Sequence, residues 1–214
     1  MKRLILFPLL LLAACGRGVP EDARIVVAGD SVMAWNRSAG GSVADRLEAE
    51  LREPVGDVSL PLARVMSGAG PLNIPSQLSG VTAPWIVLNG GANDLAGRCE
   101  CSDCGDVLDQ LITEDGTGGA IPALVGDLRQ RGAQVIWADY YTAPAYAGTS
   151  CEAPYQVLET RLGRMAAADA GVTLVDMDER FRPDDLTLFA SDKTHPSPKG
   201  SARIAEQIAP LLKR

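Results

Sequence analysis

Four short, mostly apolar runs, each closed by turn-forming residues and separated by helical patterns, restrict this 214-residue chain to few folds. Residues 25–28, 85–88, 134–138 and 172–175 lack the in–out alternation of a strand with one wet face, so they read as strands buried on both sides. A weaker strand is expected over 55–62. Between these runs the apolar period changes to that of a helix. Val43, Leu47 and Leu51 form one stripe, with Ser42 and Asp45 placed to cap its start and Pro54 to end it. Leu124 and Leu128 mark a second helix, stopped by Gly132, and Tyr155, Leu158, Leu162 and Met165 a third, ended by Gly171. Ser197-Pro198 is an N-cap followed by proline at the first helical position, and Ile204, Ile208, Leu211 and Leu212 give the last helix its buried face. Strands and helices alternating in this way predict a three-layer α/β/α sandwich around a mostly parallel sheet. The length suits a single domain, here 24–214.

The first residues read as targeting rather than fold. Lys2 and Arg3 precede an apolar run over 4–14 that is too short to span a bilayer and has the build of a secretory signal, 1–14. Leu12-Ala13-Ala14-Cys15 resembles the lipobox of bacterial lipoproteins, with Cys15 as the lipidated residue and 15–23 as lipidated cysteine and tether. That resemblance implies a catalytic domain held at the cell envelope by a lipid, on the periplasmic side of the outer or inner membrane. Without 1–14 the chain carries 18 basic against 27 acidic side chains, a balance of −9. No basic stripe is present, so nucleic acid is excluded as a partner class.

The chemistry-bearing residues cluster at the ends of the predicted strands. Gly29-Asp30-Ser31 closes the first run, with a glycine that permits a sharp reversal at the sheet edge where open α/β folds place their sites. Asp30 or Ser31 would also serve as a cap for a following helix. The one histidine, His195, stands three residues after Asp192 in a polar loop before the last helix. A carboxylate on one ring nitrogen and a free second nitrogen are what a general base requires. Gly91-Ala92-Asn93-Asp94 follows the strand over 85–88 at the same edge.

In this order, Gly-Asp-Ser, Gly-x-Asn-Asp and Asp-x-x-His-Pro resemble the SGNH (GDSL-type) hydrolases over essentially the whole chain from Arg24. The resemblance implies Ser31 as nucleophile, His195 as base and then acid, and Asp192 as its orienting partner. It implies an oxyanion hole made by the backbone amides of Ser31 and Gly68 and the side-chain amide of Asn93; Gly70 rivals Gly68 for that place. A hydroxyl beside a base and preorganised donors around a developing oxyanion are the physical requirements of acyl transfer. No Gly-x-Ser-x-Gly elbow is present. Asp94 reads as structural, shaping its turn through local hydrogen bonds. Trp35, Met33 and Leu95 are candidates for an acyl pocket, each with an ordinary core role as the alternative.

Cys99, Cys101, Cys104 and Cys151 lack paired Cys-x-x-Cys hairpins, and a secreted chain meets oxidising conditions, so two disulfides are expected rather than zinc. Three pairings are open, and each ties Cys151 to the loop after Asn93. No metal or cofactor is called for. The expected activity is hydrolysis of a carboxylic ester or thioester of a lipid or acylated glycan through an acyl-enzyme on Ser31. Acyl transfer to a sugar by the same triad, or glycan or lipid binding without catalysis, are the alternatives.

Overall fold

The computed structural model describes residues 18–212; the expected signal segment and Cys15 lie outside them. Strand β1 (Ile25–Val27) runs into a four-residue helix, α1 (Ser31–Ala34), and then α2 (Val43–Leu51) and β2 (Val55–Asp57). Next come α3 (Ile74–Gln77), β3 (Trp85–Leu88), α4 (Ala92–Arg98), α5 (Gly105–Leu111) and α6 (Ala120–Gln130). Then β4 (Gln134–Ala138), α7 (Glu152–Ala168), β5 (Val172–Val175) and α8 (Pro198–Leu212) complete the chain.

All four strand pairings are parallel, in the order β2-β1-β3-β4-β5. This is the flavodoxin-like doubly wound order, and its topological switch point lies between β1 and β3. The strands divide their side chains between two cores. Ile25, Val27, Val87 and Ile136 face α2 and α8, while Val26, Ile86, Leu88, Val135 and Trp137 face α5, α6 and α7. Both faces are therefore dry, which is why the strands read as continuous apolar runs.

The helix signals act as expected, with local shifts. Ser42 and Asp45 form a reciprocal capping box on α2. Ser197 Oγ accepts the Gly200 N–H at 3.1 Å at the start of α8. Helix α7 stops at Ala168, before Gly171, because the Asp169 carboxylate takes the Gly171 N–H at 2.7 Å and turns the chain toward β5. Strand β2 ends at Asp57, well short of residue 62. Its ladder continues only as single bonds, Val58 N–H to Val27 O and Leu60 N–H to Gly29 O, until Pro61 turns the chain. No helix among the described residues is long and apolar enough to cross a membrane.

Candidate active site

The turn after β1 is fixed by two side-chain amides. Gln77 accepts the Gly29 N–H at 2.9 Å and donates to the Gly29 carbonyl at 3.0 Å. Asn89, just past β3, accepts the Asp30 N–H at 3.0 Å and donates to Asp30 Oδ1 at 2.8 Å. Gly29 has φ +118°, and a Cβ there would fall 2.1 Å from Asn89 Oδ1, so neither the backbone nor the Asn89 contact tolerates a side chain. Asp30 is the N-cap of α1, accepting the Val32 N–H at 2.9 Å. Its other oxygen accepts the Tyr140 hydroxyl at 2.5 Å. Burial pushes the Asp30 carboxyl up, against the Tyr140, Val32 and Asn89 hydrogen bonds that hold it down. Capping and presentation coincide here: Asp30 starts the helix, and Ser31 is its first residue.

Ser31 Oγ lies 2.9 Å from His195 Nε2, and His195 Nδ1 lies 2.7 Å from Asp192 Oδ2. A neutral ring with its hydrogen on Nδ1 satisfies both contacts, donating to Asp192 and accepting from the serine hydroxyl. Asp192 Oδ1 also accepts the backbone N–H groups of Thr194 (2.9 Å) and His195 (3.0 Å). Partial burial raises the Asp192 carboxyl, but the His195 backbone and ring and the Thr194 N–H outweigh it and hold it below the ordinary range. The loop is pinned by the Tyr141 hydroxyl on Thr194 O at 2.9 Å and by Asn36 Nδ2 on Pro196 O at 3.0 Å. Trp35 stacks on the imidazole at 3.7 Å and 6° between planes, which fixes the ring face.

Asn93 stands in the first turn of α4 and lines the same cavity, donating one amide hydrogen to Ala63 O at 3.0 Å. Gly68 is not brought there. It has φ +112° and packs so tightly under Leu72 that a Cβ would meet the Leu72 carbonyl oxygen at 2.3 Å. Gly70, its rival, opens a 3-10 turn and also lies outside the cavity lining. Leu62 lines the cavity together with Ser31. The last ladder bond, Leu60 N–H to Gly29 O, brings the chain to the turn after β1 just before Pro61. Leu60-Pro61-Leu62-Ala63 is a β-turn closed by Ala63 N–H on Leu60 O at 3.2 Å, with Leu62 at φ +66° where glycine is usual. Asp94 is structural, as expected, but not locally: its buried carboxylate accepts the N–H groups of Val65 (2.8 Å) and Met66 (3.0 Å), far back in sequence.

The cavity holds about 470 Å³ and opens beside Ser31 and His195. Trp35 lines it, whereas Met33 and Leu95 are fully buried in the two cores. Much of its wall is a face of α7 made by Glu152, Tyr155, Gln156 and Glu159, continued by Tyr140 and Tyr146, whose rings meet Tyr155, and by Tyr141. Tyr155, expected in one stripe with Leu158, Leu162 and Met165, packs half-buried against that core and lines the cavity as well. Burial pushes its hydroxyl well above the ordinary tyrosine range. Cys99 pairs with Cys104, and Cys101 with Cys151, so the second bridge fastens the start of α7 to the loop after α4.

The model of the GDSL-like lipase/acylhydrolase family matches residues 27–203. A search of curated proteins finds no match. Among solved structures, a member of the lipolytic G-D-S-L family from Veillonella parvula superposes with a TM-score of 0.65 at 17% identity, covering 89% of this chain and 98% of its own. A lipase from a goat rumen metagenome gives 0.58 at 15%, covering 87% and 95%. A family two carbohydrate esterase from Clostridium thermocellum gives 0.60 at 17%, covering 91% and 64%.

Proposed function

The chain belongs to the GDSL-like lipase/acylhydrolase family, the SGNH hydrolases, and from that premise we propose that it is a serine esterase working through an acyl-enzyme on Ser31. The observation that carries the reading is the unbroken Asp192–His195–Ser31 hydrogen-bond chain at the mouth of an apolar-walled cavity. Ser31 Oγ attacks the ester carbonyl carbon while its proton passes to His195 Nε2. The imidazolium, held by Asp192, then protonates the leaving alkoxide as the C–O bond breaks. Water attacks the acyl-enzyme, giving its proton to His195, and the carboxylic acid leaves as the serine recovers its hydrogen.

The oxyanion is met by the Ser31 amide, the second amide hydrogen of Asn93 and, in this chain, the backbone N–H of Leu62 in place of Gly68. Leu62 supports that assignment by lining the cavity with Ser31 and Asn93 and by a positive φ that a leucine adopts only at a cost of roughly 1–3 kcal/mol. The wall of Leu62, Pro61, Val32 and the tyrosines favours an acyl or lipid chain over a bare acetyl group. The Cys15 segment extends the proposal to a lipid-anchored envelope protein, on sequence grounds alone.

The test uses p-nitrophenyl esters of increasing chain length, with and without a sugar acceptor, together with a fluorophosphonate probe. Turnover rising beyond acetate, acceptor-independent, with the probe on Ser31 and both lost in Ser31→Ala, is the expected result. Labelling at another serine, or no turnover of any ester by folded protein, would overturn the proposal.

A further inference from the structure

Behind the α7 wall lie three carboxylates that the esterase reading does not use. Asp139 ends the β4 edge, Asp176 follows β5 directly, and Glu159 projects from the cavity face of α7. Each offers an oxygen, and the three oxygens lie within 4.8 Å of one another. Like charges gathered this closely call for a counter-charge or a proton. Among the described residues, none of the three is in an ion pair.

The hydrogen bonding points to a missing positive partner. Asp139 is only 1% exposed; its Oδ1 accepts the Met177 N–H at 2.8 Å, and its Oδ2 is buried without a donor. Asp176 Oδ1 is likewise buried without a donor. Gln207 donates Nε2 to the Asp176 carbonyl at 3.0 Å yet keeps Oε1 buried and unpartnered. Buried oxygens of this kind normally have a donor, a water or an ion. Every unmatched atom of this group is an acceptor, so a species carrying positive charge fits and an anion does not.

We propose that Asp139, Glu159 and Asp176 bind a hard divalent cation, calcium in preference to magnesium, between the ends of β4 and β5 and helix α7. The ligand set is all oxygen, as such ions require. Three oxygens within 4.8 Å of one another can share one ion, and calcium, which takes six to eight oxygens in flexible geometry, suits an irregular set of this kind better than magnesium, which demands a near-ideal octahedron. The ion ties helix α7 to the ends of β4 and β5, which are already paired in the sheet. Two of its neighbours in sequence, Tyr140 and Asp178, line the cavity, as Glu159 itself does. Occupancy therefore stiffens the wall that faces the substrate. The rival occupant is a proton on Asp139, whose carboxyl is pushed up to about 8 by burial and then by Asp176, Glu159 and Asp178.

The experiment reads thermal unfolding and calorimetric binding on chelator-stripped, dialysed full chain, titrated with CaCl₂ and separately with MgCl₂. No substrate is involved, so its outcome is independent of the esterase reading. Dissociation constants of the order of 10⁻⁴–10⁻³ M, as in modest carboxylate sites, give an upward Tm shift of roughly 3–10 °C at about 10 mM CaCl₂. The shift should vanish in Asp139→Asn and in Glu159→Gln; the latter changes a side chain on the helix face that borders the cavity and keeps the fold testable if Asp139→Asn does not express. A wild-type Tm indifferent to both salts, or an equal calcium shift in Glu159→Gln, overturns the site and leaves the proton as occupant. A shift with MgCl₂ alone overturns the choice of calcium.

Discussion

Replacing Tyr140 with Phe removes the hydroxyl that donates to Asp30 in the nucleophile turn and also accepts the Ala92 N–H at 3.3 Å, the second bond being lost equally at every pH. The Tyr140 hydroxyl donates to Asp30 Oδ2 at 2.5 Å, and the aromatic ring remains when it is removed. Asp30 is 1% exposed and has two other side-chain partners, the Val32 N–H and the Asn89 amide, both on Oδ1. Oδ2 is then left in the interior without a donor. A hydrogen bond to a charged group is worth about 1.5–3 kcal/mol and a neutral one about 0.5–1.5 kcal/mol, so the cost depends on the charge of Asp30.

The sign follows from linkage. Burial raises the Asp30 carboxyl in the folded state above its unfolded value of 3.8. The native protein therefore holds a proton that the unfolded chain releases, and stability falls as pH rises from that value through the folded one. Tyr140→Phe removes one of the interactions that lower the carboxyl, moving the folded value further up and deepening the loss at high pH. Urea unfolding at about pH 4 and about pH 8, for both proteins, should show a destabilisation of roughly 1 kcal/mol at the lower pH and roughly 2–3 kcal/mol at the higher. Taking the difference between variants cancels every other titrating group. Equal losses at the two pH values, or none, would mean that the hydroxyl does not solvate a charged Asp30.

The remaining expectations are narrower. Asn93→Ala should lower kcat by ~10²–10³ with a much smaller change in KM, since the donor acts mainly in the transition state. Gly68→Ala should lower stability through its collision with the Leu72 carbonyl while the folded fraction keeps its kcat, and Leu62→Gly should keep kcat but raise KM for longer acyl chains; a kcat loss in a fully stable Gly68→Ala would return the donor role to Gly68. Opening the Cys101–Cys151 bridge, which spans 50 residues, should cost about 4 kcal/mol on the chain-entropy model, against about 2 kcal/mol for the Cys99–Cys104 bridge, read by chemical denaturation of the Cys→Ser pairs. Cys15→Ser should shift the protein from the detergent phase to the soluble fraction with esterase activity intact; unchanged partitioning would sink the lipid anchor.

The parallel sheet was legible because burial on both faces writes itself into sequence as unbroken apolar runs, and four of the five strands appear that way. The edge strand β2 was blurred because Val-Gly-Asp carries too little apolar signal in three residues, and Pro61 ends its ladder without any break in hydrophobicity. The positions of Ser31, Asn93 and His195 were legible for a different reason: each stands at a helix start or in a short loop whose chemistry is compressed into neighbouring residues. Gln77 and Asn89, which hold the turn, carry no such mark. An amide that bonds a backbone many residues away looks in sequence like any polar residue near a strand end.

The role proposed for Leu62 shows why the oxyanion donors are the hardest part to read. A backbone N–H has no sequence identity, so a glycine is sought as its proxy, on the ground that only glycine accepts a positive φ cheaply. Gly68 answers that description and does have a positive φ, but its constraint is the Leu72 carbonyl packed beneath it. In the turn that follows the last ladder bond, at the cavity that Ser31 also lines, the positive φ is borne by a leucine after proline. Pro61 presets the first corner of the turn, which suits a right- or a left-handed second corner, and Leu62 takes the left-handed one. The Leu62 side chain is exposed and lines the cavity, so the strained residue contributes apolar surface for a substrate as well as the proposed oxyanion amide. A glycine there would relax the backbone and remove that surface, and a leucine does the reverse, in keeping with the proposed preference for an acyl chain.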